Sequence, residues 1–275
     1  RMGDAMRIGV YPFASTGLIG DNLRTICKAI RLAAEAGARL LVFHECALCG
    51  YPPLETGMHE IAEHDIEAAL NSVSACARSH GVFVAVGTVR FSGAQCYNSM
   101  VVFDDRGERL GCYDKQALWG WDVDHFTPGG QPGIFEIDGM RIGFRICFDI
   151  RFPELFRQLY RHRTDLCFVS FSDTNETPMP ERYATIKAHL VTRSVENVMT
   201  VVSVNSLSRV PTAPTAVFDC NGMVVKEAAP GQEALLLYDY AKPEMTFGME
   251  GRIVNSHAFL GLAEPDAAKD AGTMA

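Results

Sequence analysis

The sequence predicts an α/β protein. Short apolar runs of strand length alternate along the chain with longer segments whose apolar residues follow helical spacing. Hydrophobic residues make up 48% of the 275 residues, which is enough for a sizeable core. No internal repeat, low-complexity tract or long linker interrupts the alternation. We therefore expect one domain over 1–275, with a core over about 6–240 and a C-terminal extension over 241–275.

The first half of the chain is predicted to hold two helices and several strands. One helix follows Asp21, which can cap it, because Leu23, Ile26 and Ile30 keep helical spacing. The second helix is expected at Ile61–Ser79. Apolar runs bounded by turn residues predict strands at Met6–Val10, Leu40–Phe43, Val82–Val89, Tyr97–Phe103 and Arg109–Tyr113.

The second half continues the same pattern. Alternating Ile142, Phe144 and Ile146 predict a strand that ends at Cys147, and a helix is expected from Phe152-Pro153 because proline suits a first turn. A further helix is predicted at Glu181–Asn197. The remaining strands are expected at Leu166–Phe171, Val201–Asn205, Ala216–Phe218, Met223–Val225 and Leu235–Tyr238. The tail, Glu264–Ala275, is expected to be disordered or to wrap a partner subunit.

Composition predicts a cytoplasmic protein with neither nucleic acid nor membrane among its partners. The net charge is −8 and no basic run occurs. No apolar run approaches the roughly 20 residues of a membrane span, and Arg1–Met6 lacks the apolar region of a signal peptide. The nine cysteines are odd in number and their spacings show no disulfide framework, which is typical of a reducing compartment.

Three segments carry candidate chemistry. Cys147 lies at a strand-to-helix turn, where the following N–H groups favour a thiolate and a developing oxyanion. A lone cysteine is more often structural, so the assignment depends on the other two segments. Glu45 follows a buried strand, at the sheet end where α/β proteins place their sites. Lys115 follows a strand and precedes an aromatic loop that ends in Phe126-Thr127-Pro128-Gly129.

These residue types suffice for amide hydrolysis through a thiol. Such a reaction needs an activated nucleophile, a proton donor for the leaving amine and a cation or N–H groups for the oxyanion. Cys147 would be the nucleophile and Glu45 the base. Lys115 and the backbone N–H of Phe148 would stabilise the oxyanion, and Lys115 is expected to favour the Cys147 thiolate.

The three segments, in the order Glu, Lys, Cys, resemble the nitrilase (carbon–nitrogen hydrolase) superfamily, in its amidase and carbamoylase branch. Ile146–Glu154 resembles the nucleophile motif, Tyr113-x-Lys115 the lysine motif, and Arg193–Asn197 the late helix. The resemblance extends from about Met6 to about Tyr240. It implies a four-layer α-β-β-α sandwich, a Glu-Lys-Cys triad that forms a covalent acyl-enzyme, and no metal or cofactor.

The sequence departs from the family pattern in the aromatic loop and beside the glutamate. His44 stands where a proline is usual. The loop before Pro-Gly lacks the family's second glutamate, and either Asp122 or Asp124 is a candidate replacement. Trp119 and Trp121 are expected either to line the substrate mouth or to serve packing.

Asp173 and Asn175 follow the strand Leu166–Phe171, so they are expected at the same end of the sheet, either touching substrate or capping the next loop. Cys46-x-x-Cys49 is a candidate redox or zinc pair, and we expect neither role because no second such pair is present.

The favoured function is hydrolysis of a small amide or N-carbamoyl compound, with release of ammonia or an amine. A true nitrilase is less favoured, because Phe148-Asp149 replaces the Trp-Glu typical of nitrilases. A non-catalytic interaction protein is the alternative from another class. We also expect a homodimer or higher even oligomer, because the helix after Cys147 has a broad apolar stripe formed by Phe152, Leu155, Phe156, Leu159 and Tyr160.

Overall fold

The computed structural model describes residues 5–263 and contains two six-stranded sheets. The first has the order β14-β1-β2-β3-β4-β5, formed by Leu236–Tyr240, Met6–Val10, Leu40–Val42, Phe83–Ser92, Gln95–Phe103 and Arg109–Asp114. The second has the order β13-β12-β10-β8-β7-β6, formed by Val224–Glu227, Ala216–Phe218, Thr200–Asn205, Leu166–Phe171, Met140–Ile146 and Ile134–Ile137. The two-residue strands β9 (Thr174–Asn175) and β11 (Val210–Pro211) pair separately.

The helices are α1 (Ile19–Glu35), α2 (Glu63–His80), α3 (Asp122–His125), α4 (Pro153–Arg161), α5 (Pro180–Asn197) and α6 (Phe247–Leu260). Helices α1 and α2 cover the outer face of the first sheet, and α4 and α5 cover that of the second. Short 3₁₀ turns occur at Met58–Glu60 and Cys147–Arg151. The predicted four-layer α-β-β-α sandwich is confirmed.

Three apolar clusters hold the layers together. Ile30 of α1 and Leu70 of α2 pack on the outer face of the first sheet. Met100 and Phe144 pack between the two sheets, and a third cluster buries α4 and α5 against the second sheet. Burial of apolar surface on this scale is the main favourable term in folding.

Parallel pairing brings the functional turns to one end of the molecule. Strands β1, β2 and β3 run parallel in the first sheet, and β7, β8 and β10 run parallel in the second. Ile146 lies opposite Ser170, so the residues after β7 and β8 leave the sheet side by side. The chain after β2 leaves at the same end, because Ser170 Oγ donates to the Phe43 carbonyl across the sandwich, at 2.9 Å.

Helix α1 begins earlier than the sequence predicts. Leu18 is its N-cap residue and makes no side-chain cap, whereas Asp21 lies within the first turn and contacts Arg24. An acidic side chain in the first turn still interacts favourably with the helix dipole. The expected capping role of Asp21 is therefore wrong, although the helix itself is present.

Helix α6 lies in the predicted C-terminal extension and was not expected. Thr246 caps it, and it packs along α4, where the Tyr160 hydroxyl donates to the Ile253 carbonyl at 3.3 Å. Within α4, Phe156 and Leu159 are fully buried. The chain's own α6 thus shares in covering α4, and the homodimer stays a prediction. The tail Glu264–Ala275 lies outside the described residues.

A disulfide joins Cys27 of α1 to Cys76 of α2, with 5.9 Å between their Cα atoms. The expectation that the cysteines form no disulfide is therefore wrong. Their separation of 49 residues gives no sequence signal, because only the packing of the two helices brings them together. Cytoplasmic location stays a prediction, and within residues 5–263 no helix is long and apolar enough to cross a membrane.

Candidate active site

Glu45 is held in a tight turn after β2. The next residue, Cys46, has a φ of 53°, in the left-handed region that non-glycine residues rarely adopt. The turn packs directly on Gly87 of β3, where an added Cβ would lie 2.2 Å from the His44 carbonyl oxygen. Only glycine permits this approach, which buries the Glu45 side chain.

The buried Glu45 carboxylate accepts three hydrogen bonds. Its Oε1 accepts from Lys115 Nζ at 2.9 Å and from Asn98 Nδ2 at 2.7 Å. Its Oε2 accepts from the backbone N–H of Ser172 at 2.7 Å. The donors come from both sheets, so the carboxylate is fixed where the sheets meet.

Lys115 bridges two carboxylates. Besides Glu45, its Nζ donates to Asp122 Oδ2 at 2.6 Å, and the Tyr51 hydroxyl donates to Asp122 Oδ1 at 2.7 Å. All three charged side chains are buried. Asp124, the other candidate for the family's second acid, is exposed. Of the two aspartates that the sequence leaves open, Asp122 is therefore the one that lies at Lys115.

The Cys147 turn is fixed by Asp149. Cys147 has a φ of 43°, again in the left-handed region, so the turn is strained and needs support. Asp149 accepts from the N–H of Ile146 at 2.9 Å, the N–H of Ala117 at 2.8 Å and the Tyr113 hydroxyl at 2.7 Å. These bonds connect the cysteine turn to the lysine loop.

Burial and neighbouring charges shift the acid–base properties of the site. Burial and the charge of Glu45 raise the pKa of the Cys147 thiol well above its usual value, although Lys115 acts in the opposite direction. Lys115 thus favours the thiolate, as expected, but desolvation and the charge of Glu45 outweigh this single cation. Burial likewise raises the pKa of Glu45. For Lys115, burial favours the neutral amine, but Glu45, Cys147 and Asp122 raise its pKa overall.

Glu45, Lys115 and Cys147 line one cavity of about 330 Å³. Phe148, Trp119, Trp121, Asp173 and Asn175 line it too, as the sequence analysis allows. Trp121 also stacks on His125, with 3.7 Å between the ring centroids, so its role includes packing. Asp173 is bound by Arg182, whose Nε and Nη2 each donate at 2.8 Å, so its carboxylate is already paired.

Several residues at the site were not predicted. Tyr51, Arg151 and Ser172 line the cavity, and Asn98 supports Glu45 from β4. Arg151 lies inside the recognised cysteine motif, so a signal for it was present. Asn98 and Ser172 carry no such signal, because strand pairing and the packing of the two sheets bring them to Glu45.

The departures from the family pattern beside Glu45 are structural. His44 is buried without a charged partner, contacts Ser15 Oγ at 3.1 Å, and burial lowers its pKa to about 3. Cys46 and Cys49 are both buried and form no disulfide. Within residues 5–263 no group of three or more His, Cys, Asp or Glu side chains is arranged to hold a metal ion.

Comparison with known proteins assigns the family. Residues 13–246 match the carbon–nitrogen hydrolase family. The chain belongs to the carbon–nitrogen hydrolases. Its fold is also that of an amidase of the nitrilase superfamily from Nesterenkonia AN1, with a TM-score of 0.78, 24% identity and coverage of 88% of this chain and 92% of that one. A variant of that amidase has been solved with butyramide bound.

The sequence relatives of this chain include an amidase and a synthetase. One is 2-oxoglutaramate amidase of Bacillus subtilis, 31% identical over 61% of this chain and 63% of that protein. The other is glutamine-dependent NAD(+) synthetase of Aquifex aeolicus, 28% identical over 70% of this chain and 34% of that protein. The chain thus spans about three-fifths of the amidase and about a third of the synthetase.

Proposed function

We propose that this carbon–nitrogen hydrolase cleaves a small amide through an acyl-enzyme on Cys147, with Glu45 as general base and Lys115 as the oxyanion cation. The observation that carries the proposal is the buried Glu45–Lys115–Asp122 cluster, of which Glu45 and Lys115 line the same cavity as the Cys147 thiol. Burying three charges is costly. Such a cluster facing a cavity is typical of a catalytic site.

In acylation Glu45 acts first as a base and then as an acid. Glu45 takes the thiol proton as the sulfur attacks the amide carbonyl carbon, and the oxyanion develops near Lys115 Nζ and the Phe148 N–H. Glu45 then returns the proton to the nitrogen, the C–N bond breaks, and ammonia or an amine leaves. The raised pKa of Cys147 fits this sequence, because a neutral thiol needs a base at the moment of attack.

The test is a screen of small amides, N-carbamoyl amines and nitriles, scored by ammonia release. We expect amides to be the best substrates. Glu45→Gln and Lys115→Met should each lower kcat/KM for the best substrate by about 10²–10⁴-fold, since each removes one acid–base or oxyanion group. No release from any amide, or unchanged turnover in both variants, would refute the proposal and favour a non-catalytic role.

The substrate we propose carries a carboxylate as well as the amide. Three arginines line the cavity, and two of them are paired: Arg182 with Asp173, and Arg209 with Glu176 at 2.9 Å. Arg151 lines the same cavity, and among the described residues it has neither a hydrogen bond nor an ion pair. A guanidinium of this kind suits bidentate binding of a carboxylate. The amidase relative named for 2-oxoglutaramate, itself an anionic amide, supports this choice.

This refinement has its own test. Arg151→Gln should raise KM for the mono-amide of a four- or five-carbon dicarboxylic acid by about 10–100-fold, the value of one charge-assisted pair. The same variant should leave KM for butyramide within about threefold. Equal losses on both substrates would show that Arg151 supports the turn and does not select the substrate.

A further inference from the structure

Ser172 presents an unused hydroxyl beside the general base. It directly follows β8, it is 7% exposed, and it lines the cavity. Its Oγ is buried and has no hydrogen-bond partner in the part of the chain that the structure describes. A buried hydroxyl left unpaired costs free energy, so its position in the cavity wall points to a partner supplied from outside the protein.

The bonds of Glu45 indicate where that partner sits. The two acceptor positions of Oε1 are occupied by Lys115 and Asn98. From the residues that the structure describes, Oε2 accepts only the Ser172 N–H, so one acceptor position remains on this oxygen. Ser172 thus donates its N–H to Glu45 Oε2, the oxygen with the open acceptor position. The unpaired Oγ belongs to the same residue, so the open acceptor and the unpaired hydroxyl belong to neighbouring groups.

We propose that the Ser172 hydroxyl positions the water that hydrolyses the acyl-enzyme. The inference rests on the proposed function, since it concerns the second half of that reaction. One water O–H donates to Glu45 Oε2, and the water also bonds Ser172 Oγ. Two anchors fix its direction of attack, where one would leave it free to rotate about a single bond.

Deacylation proceeds in two stages, attack and collapse. The water oxygen attacks the thioester carbonyl carbon while Glu45 takes the water proton. The tetrahedral intermediate collapses with cleavage of the C–S bond, and Glu45 returns the proton to the Cys147 sulfur. The products are a carboxylic acid and the free thiol, and no reagent other than water is consumed.

The chain offers a matched control. Thr174 Oγ1 is a second hydroxyl of the cavity wall that is buried with no hydrogen-bond partner within residues 5–263. The backbone of Thr174 pairs with Pro211 in the small two-stranded sheet, and Glu45 receives no hydrogen bond from this residue. Thr174→Val therefore removes a comparable hydroxyl away from the base, whereas Ser172→Ala removes the proposed water anchor but keeps the N–H that holds Glu45.

The experiment uses p-nitrophenyl acetate, which acylates the thiol whatever the natural substrate is. The burst of p-nitrophenolate reports acylation and the following steady rate reports deacylation. Ser172→Ala should keep the burst rate within about threefold and lower the steady rate about tenfold, the value of one hydrogen bond. Intact mass should show the acetyl adduct accumulating in this variant, and Thr174→Val should leave the ratio of the steady rate to the burst rate unchanged.

Two results would overturn the inference. One is a steady rate in Ser172→Ala equal to that of the unsubstituted protein. The other is an equal fall in both phases, which would place Ser172 in support of Glu45 and not of the water. Failure of the proposed function would look different, because Cys147→Ala would then retain the burst.

Discussion

Two cysteines of this hydrolase occupy nearly the same local geometry but face different surroundings. Cys147 directly follows β7 and Cys46 lies in the turn after β2. Both have a left-handed φ (53° for Cys46 and 43° for Cys147), and burial raises the thiol pKa of both. Cys46 is completely enclosed, with its Sγ 3.7 Å from Asn98 Oδ1. Cys147 opens on the cavity that contains Lys115.

The comparison shows that a strained turn does not by itself make a nucleophile. In the Glu45 turn the strain places the carboxylate, and the neighbouring thiol points into the core. In the Cys147 turn the strain places the thiol itself. Access to substrate and a nearby cation therefore distinguish the two cysteines, and substitutions at each can test that distinction.

Substitution of Cys147 should reduce amide turnover far more than substitution of Cys46. Cys147→Ala should abolish amide turnover, by at least about 10⁴-fold, because no other group can form the acyl-enzyme. Cys46→Ala should keep kcat within about threefold and lower the free energy of unfolding by about 1 kcal/mol, since it removes one buried sulfur. Steady-state ammonia release and denaturant unfolding measure the two effects. Comparable turnover losses in both variants would remove the distinction between the two turns.

Chemical labelling should also distinguish Cys147 from the enclosed cysteines. Iodoacetamide should modify Cys147 well before Cys46 or Cys49, because the latter two are enclosed. Since the pKa of Cys147 is raised, the thiolate is a minor species at neutral pH, and its labelling rate should rise about tenfold per pH unit. Peptide mapping over a pH series checks both statements. A rate independent of pH would mean a thiolate at rest.

A smaller effect on activity is expected from substitution of Asp122, which accepts a hydrogen bond from Lys115. The charge of Asp122 helps to raise the pKa of Glu45, so Asp122→Asn should lower that pKa. The base must be ionised to act, and activity is lost as the pH falls through its pKa. The acidic limb of kcat/KM should therefore move to lower pH in Asp122→Asn. The exposed Asp124 provides the matched variant: Asp124→Asn should leave the limb in place, and a shift in both would contradict the assignment.

The sequence predicted those site residues that lie in recognisable segments of the chain. Glu45, Lys115 and Cys147 were predicted because each follows a strand or strand-like stretch and because their three segments, in this order, resemble those of the nitrilase superfamily. Asn98 and Ser172 were missed because their roles depend on which strand lies next to β3 and on how two sheets face each other. Helix α6 was missed because its apolar residues follow no clear stripe, and its exposed Phe247 and Phe259 obscure the core-facing side.

Removal of the Cys27–Cys76 disulfide should change activity least. The Cys27–Cys76 bond lies between α1 and α2 on the outer face of the first sheet, on neither of the two turns compared above. Closing a 49-residue loop should stabilise the folded chain by about 4 kcal/mol through chain entropy. Cys27→Ser with Cys76→Ser should therefore lower the unfolding midpoint in urea and leave kcat and KM unchanged. The same double variant in the presence of a thiol reductant provides the control, because reductant should then have no further effect on the midpoint. If reductant shifts the midpoint of the double variant as much as that of the unsubstituted protein, the stabilisation comes from elsewhere.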